Sequence, residues 1–196
     1  MLPRIWKQMI VGRSRSISLS LVTGDIPTAA RITGAQRWEE CVSINTMGHI
    51  GICVTDMEAS LRFWRDGLGF EVLTDRRFTG QSWKRILETA ELDLRTSVIR
   101  RDHLMLELLE FAQPAPVGST ERSPMNRIGL THIAIWVSDI EAVARRIVDY
   151  GGTRIEETLT VFDHPKLQGK WMVCCDPNGV RVELAEYPEG EKRLFG

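Results

Sequence analysis

Between His49 and Thr55 apolar and small residues alternate, which predicts a strand with Ile50, Ile52 and Val54 on one face and His49, Gly51 and Cys53 on the other. The polar run Thr55-Asp56-Met57-Glu58 follows and predicts a helix N-terminus, with Thr55 as the cap and Glu58 three residues on. Leu61, Phe63 and Trp64 carry the helix toward the stop at Gly67 to Gly69, where glycine tolerates the left-handed conformation. Strands are then predicted over 70–73, 97–100 and 104–111. Downstream the same order returns: a strand, the cap Ser138 with Glu141, a helix through Val143, Ala144, Ile147 and Val148 ending at Gly151-Gly152, and strands over 154–159, 170–175 and 180–187. The last two are joined by the turn sequence Asp176-Pro177-Asn178-Gly179.

The two stretches repeat each other in identity as well as in pattern. Residues 48–59 and 131–142 are identical at seven of twelve positions, and 104–111 matches 180–187 with Glu, Leu, Glu and an aromatic in register. Each copy opens on a histidine and closes on glutamates. The chain is therefore divided into an extension (1–46), a first βαβββ module (47–115), a Pro-, Gly- and Ser-rich linker (116–128), a second module (129–190) and a tail (191–196). One stretch breaks the symmetry: Gln81 to Leu92 reads as a helix of the first module without a counterpart in the second.

Composition narrows the partners. A formal charge of -1 and a pI near 6.4 give no electrostatic footprint for nucleic acid or an anionic membrane, and no apolar run reaches the length of a membrane span. A small molecule is the expected partner. Cys41, Cys53, Cys174 and Cys175 lack metal-binding or redox spacing and read as reduced thiols of a cytoplasmic protein. The first 24 residues carry Arg4, Lys7, Arg13 and Arg15 and no acid, a composition like that of a transit peptide. No cleavage pattern follows, so the segment is read as an upstream extension.

Strand parity selects among the carboxylates. Met105, Glu107, Leu109 and Phe111 share one face and Leu106, Leu108 and Glu110 the other, so only one glutamate of each copy faces inward. Glu183, between Val182 and Leu184 deep in its run, needs a metal or a base beside it, since an unpaired buried charge is costly. Glu107 and Glu183 are taken as the functional pair, Glu110 and Glu186 as solvated, and His103 and His164 as structural. His49 and His132 differ from those, because they occupy the same position of two repeats. Two imidazoles and two carboxylates brought to one point would suit a divalent metal.

On these residues the chain resembles the vicinal oxygen chelate superfamily, which includes glyoxalase I, methylmalonyl-CoA epimerase, extradiol dioxygenases, fosfomycin-modifying enzymes and bleomycin-resistance proteins. The resemblance spans about residues 47–188 and rests on the histidine opening each module, the Ser/Thr-Asp-x-Glu helix starts, the run 63–70 and the run 176–184. It implies an α+β fold of two tandem βαβββ modules forming an open, mostly antiparallel, barrel-like sheet around a metal cavity. It also implies one divalent ion (Ni, Co, Mn, Zn or Fe) on His49, Glu107, His132 and Glu183, and a glyoxalase-type isomerase or lyase. Such an enzyme abstracts a proton next to a metal-bound carbonyl and stabilises an enediolate, with Glu183 favoured over Glu107 as the mobile base. An Fe(II) extradiol-type dioxygenase would use only His49, His132 and Glu183, and a non-catalytic sequestering protein none of them. Trp136, Met105, Phe111, Trp83, Phe78 and Phe162 are expected to line an apolar pocket for an apolar or aromatic substrate. Arg85, Arg100, Arg101, Lys166 and Lys170 are the candidate anchors for an anionic carrier. Because some members of the family pair modules across subunits, the resemblance makes a homodimer the expected assembly.

Overall fold

The computed structural model of the chain describes residues 46–164 and 167–188. The expectations for the extension, for Cys41, for Lys166 and for the tail fall outside the described residues. The first module runs β1 (Ile50–Val54), α1 (Met57–Leu61), a π-helical turn (Arg62–Gly67), β2 (Glu71–Phe78), α2 (Gln81–Ile86), β3 (Asp93–Arg101) and β4 (Leu104–Gln113). The second runs β5 (Ile133–Val137), α3 (Ile140–Asp149), β6 (Thr153–His164), β7 (Leu167–Cys175) and β8 (Arg181–Glu186). The sheets have the orders β1-β4-β3-β2 and β5-β8-β7-β6, the same topology twice. In each, only the first neighbours (β1 with β4, β5 with β8) are parallel. The architecture is α+β and open, and among the described residues no strand pairing joins the two sheets.

Alternation decides what each sheet buries. Ile52 and Val54 of β1, Ile99 of β3, Leu106 and Leu108 of β4, Met172 and Cys174 of β7, and Val182 and Leu184 of β8 are all buried. They belong to one cluster that also holds Met57, Leu61, Phe63, Trp64, Ile140, Ala144 and Ile147 from the helical segments of both modules. The two sheets thus turn their aliphatic faces to a shared core, which their helices complete. Trp64 is fully buried in it, edge-on to Phe63 and Phe70.

Polar contacts fix the junction between the modules. Trp64 Nε1 donates to Asp176 Oδ2 at 3.3 Å, and Asn178 Oδ1 accepts from the backbone N–H and hydroxyl of Thr55 at 2.9 and 3.0 Å. Arg146 on α3 donates to the carbonyls of Gly67 and Asp66, satisfying the end of the π-helical turn, and stacks over Tyr150. The expected turn at 176–179 forms around Asp176, whose Oδ1 accepts the amides of Asn178 and Val180, both at 2.8 Å. Burial pushes the Asp176 carboxyl above the ordinary carboxylate range, and those hydrogen bonds offset part of the shift.

Several local expectations are corrected. The helix caps are Asp56 and Asp139, not Thr55 and Ser138; each aspartate accepts from the amide three residues on (Ala59 and Ala142, both 2.9 Å). Glu110 and Glu186, read as solvated, instead hold the helix N-termini. Glu110 Oε1 accepts from Met57 N at 2.9 Å and Glu186 Oε2 from Ile140 N at 2.7 Å, one strand reaching under each helix. The helix expected over 81–92 is shorter, Gln81–Ile86, with no buried residue. β2, β3 and β6 extend well past their expected lengths.

Two predictions follow from the junction and the caps. A Cβ added to Gly152 would lie 2.5 Å from the Phe63 ring and 2.6 Å from the Cys175 carbonyl oxygen, whereas one at Gly48 meets nothing within 4 Å. Thermal unfolding of Gly152→Ala should show a loss of about 1–3 kcal/mol from overpacking, with Gly48→Ala close to wild type; equal stabilities would contradict the close approach. The second concerns Glu186, whose carboxyl is held below the ordinary carboxylate range, first by its bond to the Lys170 ammonium at 2.7 Å. A depressed carboxyl stabilises the fold above its unfolded pKa, about 4.3, and that contribution disappears as pH falls through the folded value. The stability gap between wild type and Glu186→Gln should therefore narrow on acidification from neutral pH to about pH 4, and a gap independent of pH would refute the assignment.

Candidate active site

Because the aliphatic faces go to the core, the alternate residues of β1, β4, β5 and β8 form the opposite face of each sheet. On the first sheet Gly51 pairs with Glu107, and His49 precedes Gly51 by two residues on the same face; Glu107 pairs on its other side with Val98, which faces Thr74. On the second sheet Ala134 pairs with Glu183, His132 precedes Ala134 by two, and Glu183 faces Val173, which faces Ile155. The duplication has placed each histidine diagonally across from its glutamate, with the smallest residues opposite the carboxylates. His49 Nε2 lies 3.0 Å from Glu107 Oε2, and His132 Nε2 lies 3.7 Å from Glu183 Oε2. Both glutamates are half-buried and both histidines exposed.

The two pairs sit on faces turned away from the common core, one on each sheet. Among the described residues no three His, Cys, Asp or Glu side chains gather in a group able to hold a metal. Each pair supplies one imidazole nitrogen and one carboxylate, donors of the right kind for a divalent ion, but one chain presents them as two half-sites. The half-sites also differ in their surroundings. Thr131 Oγ1 is 2.9 Å from His132 Nδ1, while the residue preceding His49 is Gly48, which has no side-chain group to offer. Arg181, two residues before Glu183 on its face, is buried and donates to the Ser123 carbonyl, docking the linker; Met105 has the matching place beside Glu107.

The expected pocket residues divide between the sheets. Phe78, Leu94 and Phe111 lie in one cross-strand row on the face of Glu107, and Trp83 of α2 packs on Phe78 with centroids 4.3 Å apart. Met105 shares that face. Trp136 lies on the face of Glu183, opposite Ala185, and Phe162 packs edge-on to Trp171, which in turn meets Tyr187. Phe78 and Trp83 therefore do not close the same surface as Phe162. Trp171 and Tyr187 extend the aromatic row of the second sheet and escaped the sequence reading, although the alternation Trp171, Val173 marks them out once β7 is phased. A cleft of about 270 Å³ between β1 and the approach to β5 is lined by Ile50, Ile52, Leu130, Thr131, His132 and Val180 among others, and His49 does not line it. A larger one of about 470 Å³, beneath the linker at Thr120 to Arg122, holds none of the four His and Glu side chains.

Of the candidate cationic anchors, Arg100 pairs with Glu71, Lys170 pairs with Glu186 and Arg101 donates to the Leu68 carbonyl. Arg85, at the end of α2, is exposed. The thiols of Cys174 and Cys175 are buried, which pushes Cys174 up to about 11 and Cys175 above its ordinary value, away from nucleophilic chemistry. No helix among the described residues is long and apolar enough to cross a membrane.

Comparison with known proteins agrees with the fold. The family model described as Glyoxalase/Bleomycin resistance protein/Dioxygenase superfamily matches residues 46–184. A 2-epi-5-epi-valiolone epimerase from Actinomyces sp is 26% identical over 152 residues, covering 72% of this chain and 79% of that protein. The lactoylglutathione lyase-like protein terB of Aspergillus terreus is 25% identical over 180 residues, covering 83% and 90%. A crystal structure of a glyoxalase family protein from Bacillus cereus superposes with a TM-score of 0.64 at 17% identity, over 74% of this chain and 95% of that one, a likeness of fold.

Proposed function

Because the chain belongs to the Glyoxalase/Bleomycin resistance protein/Dioxygenase superfamily, we propose that it is a divalent-metal-dependent isomerase or lyase that moves a proton on the carbon beside a substrate carbonyl. The observation that carries this reading is the repeated diagonal pair: His49 with Glu107 and His132 with Glu183, at the same sheet positions of two modules. These four side chains are the ion's donors. A divalent cation held by them supplies Lewis acidity to a carbonyl oxygen placed against it. The names of the two relatives, an epimerase and a lactoylglutathione lyase-like protein, belong to the same class of proton-moving reactions.

Glu183 is the base. It stands 3.7 Å from its histidine where Glu107 stands 3.0 Å from its own, so its carboxylate is the less closely engaged and the freer to accept a proton from carbon and return it. Return to the neighbouring carbon gives a lyase or isomerase of the glyoxalase type, and return to the opposite face of the same carbon gives an epimerase. The rows Phe78 to Phe111 and Phe162 to Tyr187 favour an apolar or aromatic substrate body and exclude water from the reacting carbon. Arg100 and Lys170 are already paired, which leaves them poorly placed to anchor an anionic carrier such as glutathione or coenzyme A.

Two copies of the chain complete the site. With the half-sites on outward faces of separate sheets, the donors meet when the first sheet of one copy faces the second sheet of another, a two-fold arrangement that builds two equal sites. The same faces carry Trp136 and Phe162, which are 42% and 39% exposed in the single chain and would be covered by such pairing.

Metal content tests both parts. Wild type should retain about one divalent ion per chain, and Glu107→Ala should lose it or hold it far more weakly, by about 10-fold or more. Wild type that cannot be loaded would sink the catalytic reading. For the assembly, one chain carries His49→Ala with Glu107→Ala and a second carries His132→Ala with Glu183→Ala. Alone, each should be metal-poor. Mixed and re-associated, they should recover part of the wild-type metal content, because a mixed pair contains one intact site; no recovery in mixed pairs that have demonstrably formed would place the site within one chain.

A further inference from the structure

The geometry points to Arg76 as the anchor for an anionic group of the substrate, a carboxylate or phosphate carried on a compact apolar body. The assignment rests on the proposed reading of the Glu107 face as part of the site, and it names what that site takes besides a carbonyl.

Cross-strand register sets the placement. Across β2, β3 and β4 the outer face of the first sheet carries the successive rows Thr74, Val98, Glu107; Arg76, Thr96, Leu109; and Phe78, Leu94, Phe111. Arg76 therefore stands between the row of the carboxylate and the row of aromatics, about 7 Å along the strands from each. Its backbone lies roughly 12 Å from that of Glu107, two strands across and two residues along. Side chains extending into that space leave room between their charged ends for a small ring compound. Thr96 and Leu94 are buried although they face away from the common core, so this end of the outer face is already withdrawn from water. Arg76 itself is exposed in the single chain.

Charge pairing singles out the same residue. β2 has four charged residues, and the other three are ion-paired with β3: Glu71 with Arg100, Asp75 with Arg95 and Arg77 with Asp93. Among the described residues no carboxylate lies within ion-pairing distance of Arg76. The other arginines that register places on the outer faces are engaged, Arg100 by Glu71 and Arg181 by the Ser123 carbonyl. The guanidinium of Arg76 is thus kept for a ligand, and its planar fork matches a carboxylate or phosphate through two parallel bonds. The second sheet offers no equivalent, since the matching row there is Thr160, Trp171, Ala185 and Trp136. In the proposed assembly each site would hold one Arg76 facing an aromatic row of the other copy. A cation closed in there without a carboxylate is costly, and an anionic ligand with an apolar ring offsets that cost while filling the space between the rows.

The test titrates the metal-free full-length chain with benzoate, phenyl phosphate and uncharged benzamide, following the Trp83 indole signal in NMR spectra. Wild type should bind at least one of the two anions saturably and about 10-fold more tightly than benzamide. Arg76→Gln should lose that preference, Arg76→Lys should keep part of it as a point charge without the fork, and Arg77→Gln on the opposite face should bind as wild type does. A stronger response to benzoate or to phenyl phosphate names the anion. The inference is overturned if wild type binds neither anion better than benzamide, or if Arg76→Gln binds as wild type does. It is equally overturned if Arg76→Gln weakens self-association in the absence of any anion, because the guanidinium then pairs with a carboxylate of the second copy. Arg76-dependent anion binding by a chain that cannot be loaded with metal would refute the isomerase or lyase reading and leave the anchor standing.

Discussion

The two sheets bury their aliphatic faces in one core, and the rest of the arrangement depends on that shared burial. With Leu106 and Leu108 fixed inward on β4, Glu107 has only the outer face available; with Val182 and Leu184 fixed on β8, the same holds for Glu183. A one-residue slip of either strand would exchange a buried leucine for a buried carboxylate. Burying a leucine side chain is worth about 1.5–3 kcal/mol, and burying an unpaired carboxylate costs several, so both terms hold the register in place. The stability of the fold and the position of its chemistry are therefore set by the same strands. Trp64, at the centre of the core and bonded to Asp176 of the other module, extends that constraint from each sheet to the pair.

Duplication under this constraint gives two equal frames and lets their contents diverge. The frame is preserved where the backbone requires it: an aspartate at each helix start, a glutamate from the closing strand under each helix, a small residue opposite each outer-face carboxylate of the closing strands. The contents differ where only the outer face is concerned. Met105 faces out where Arg181 does in the other module, Gly48 stands where Thr131 does, and α2 with Trp83 has no partner in the second copy. Substitutions on an outer face leave the core unchanged, which is why the differences concentrate there.

The sequence made the fold legible to the level of modules because its strongest signals are local. The alternation in β1 and β4 fixed the phase of His49 and Glu107, and the helix stops at the paired glycines fell where they were expected, with Gly69 and Gly151 at positive φ. Less was legible where a long-range partner decides the outcome. Glu110 and Glu186 read as solvated because nothing in their own strands shows that a helix N-terminus lies above them. Thr55 and Ser138 compete as caps with the aspartates that follow, and backbone geometry at the turn, not residue type, awards the position to Asp56 and Asp139. The split of Phe78 and Phe162 between two sheets was equally hidden. Period-2 reasoning gives a residue's face but not the sheet that faces it.

The four glutamates of the two closing strands show how similar residues come to different uses. Glu110 and Glu186 each satisfy an orphaned helix amide, and Glu186 also meets the Lys170 ammonium, so their charge is fully employed within the chain. Among the described residues no Lys or Arg lies within ion-pairing distance of Glu107 or Glu183; each meets an imidazole, and each is partly withdrawn from water between aliphatic neighbours. Covering those faces by a second copy would withdraw them further and raise the cost of leaving them charged and uncompensated. A divalent cation held between the two half-sites, as proposed, would offset that cost for both carboxylates at once, which a single protonated histidine per glutamate would do less well. In the proposed assembly one ion would meet both the electrostatic requirement of the buried pair and the Lewis acidity needed to acidify a carbon next to a carbonyl, and the pairing that would bury the carboxylates is the one that would bring the donors together.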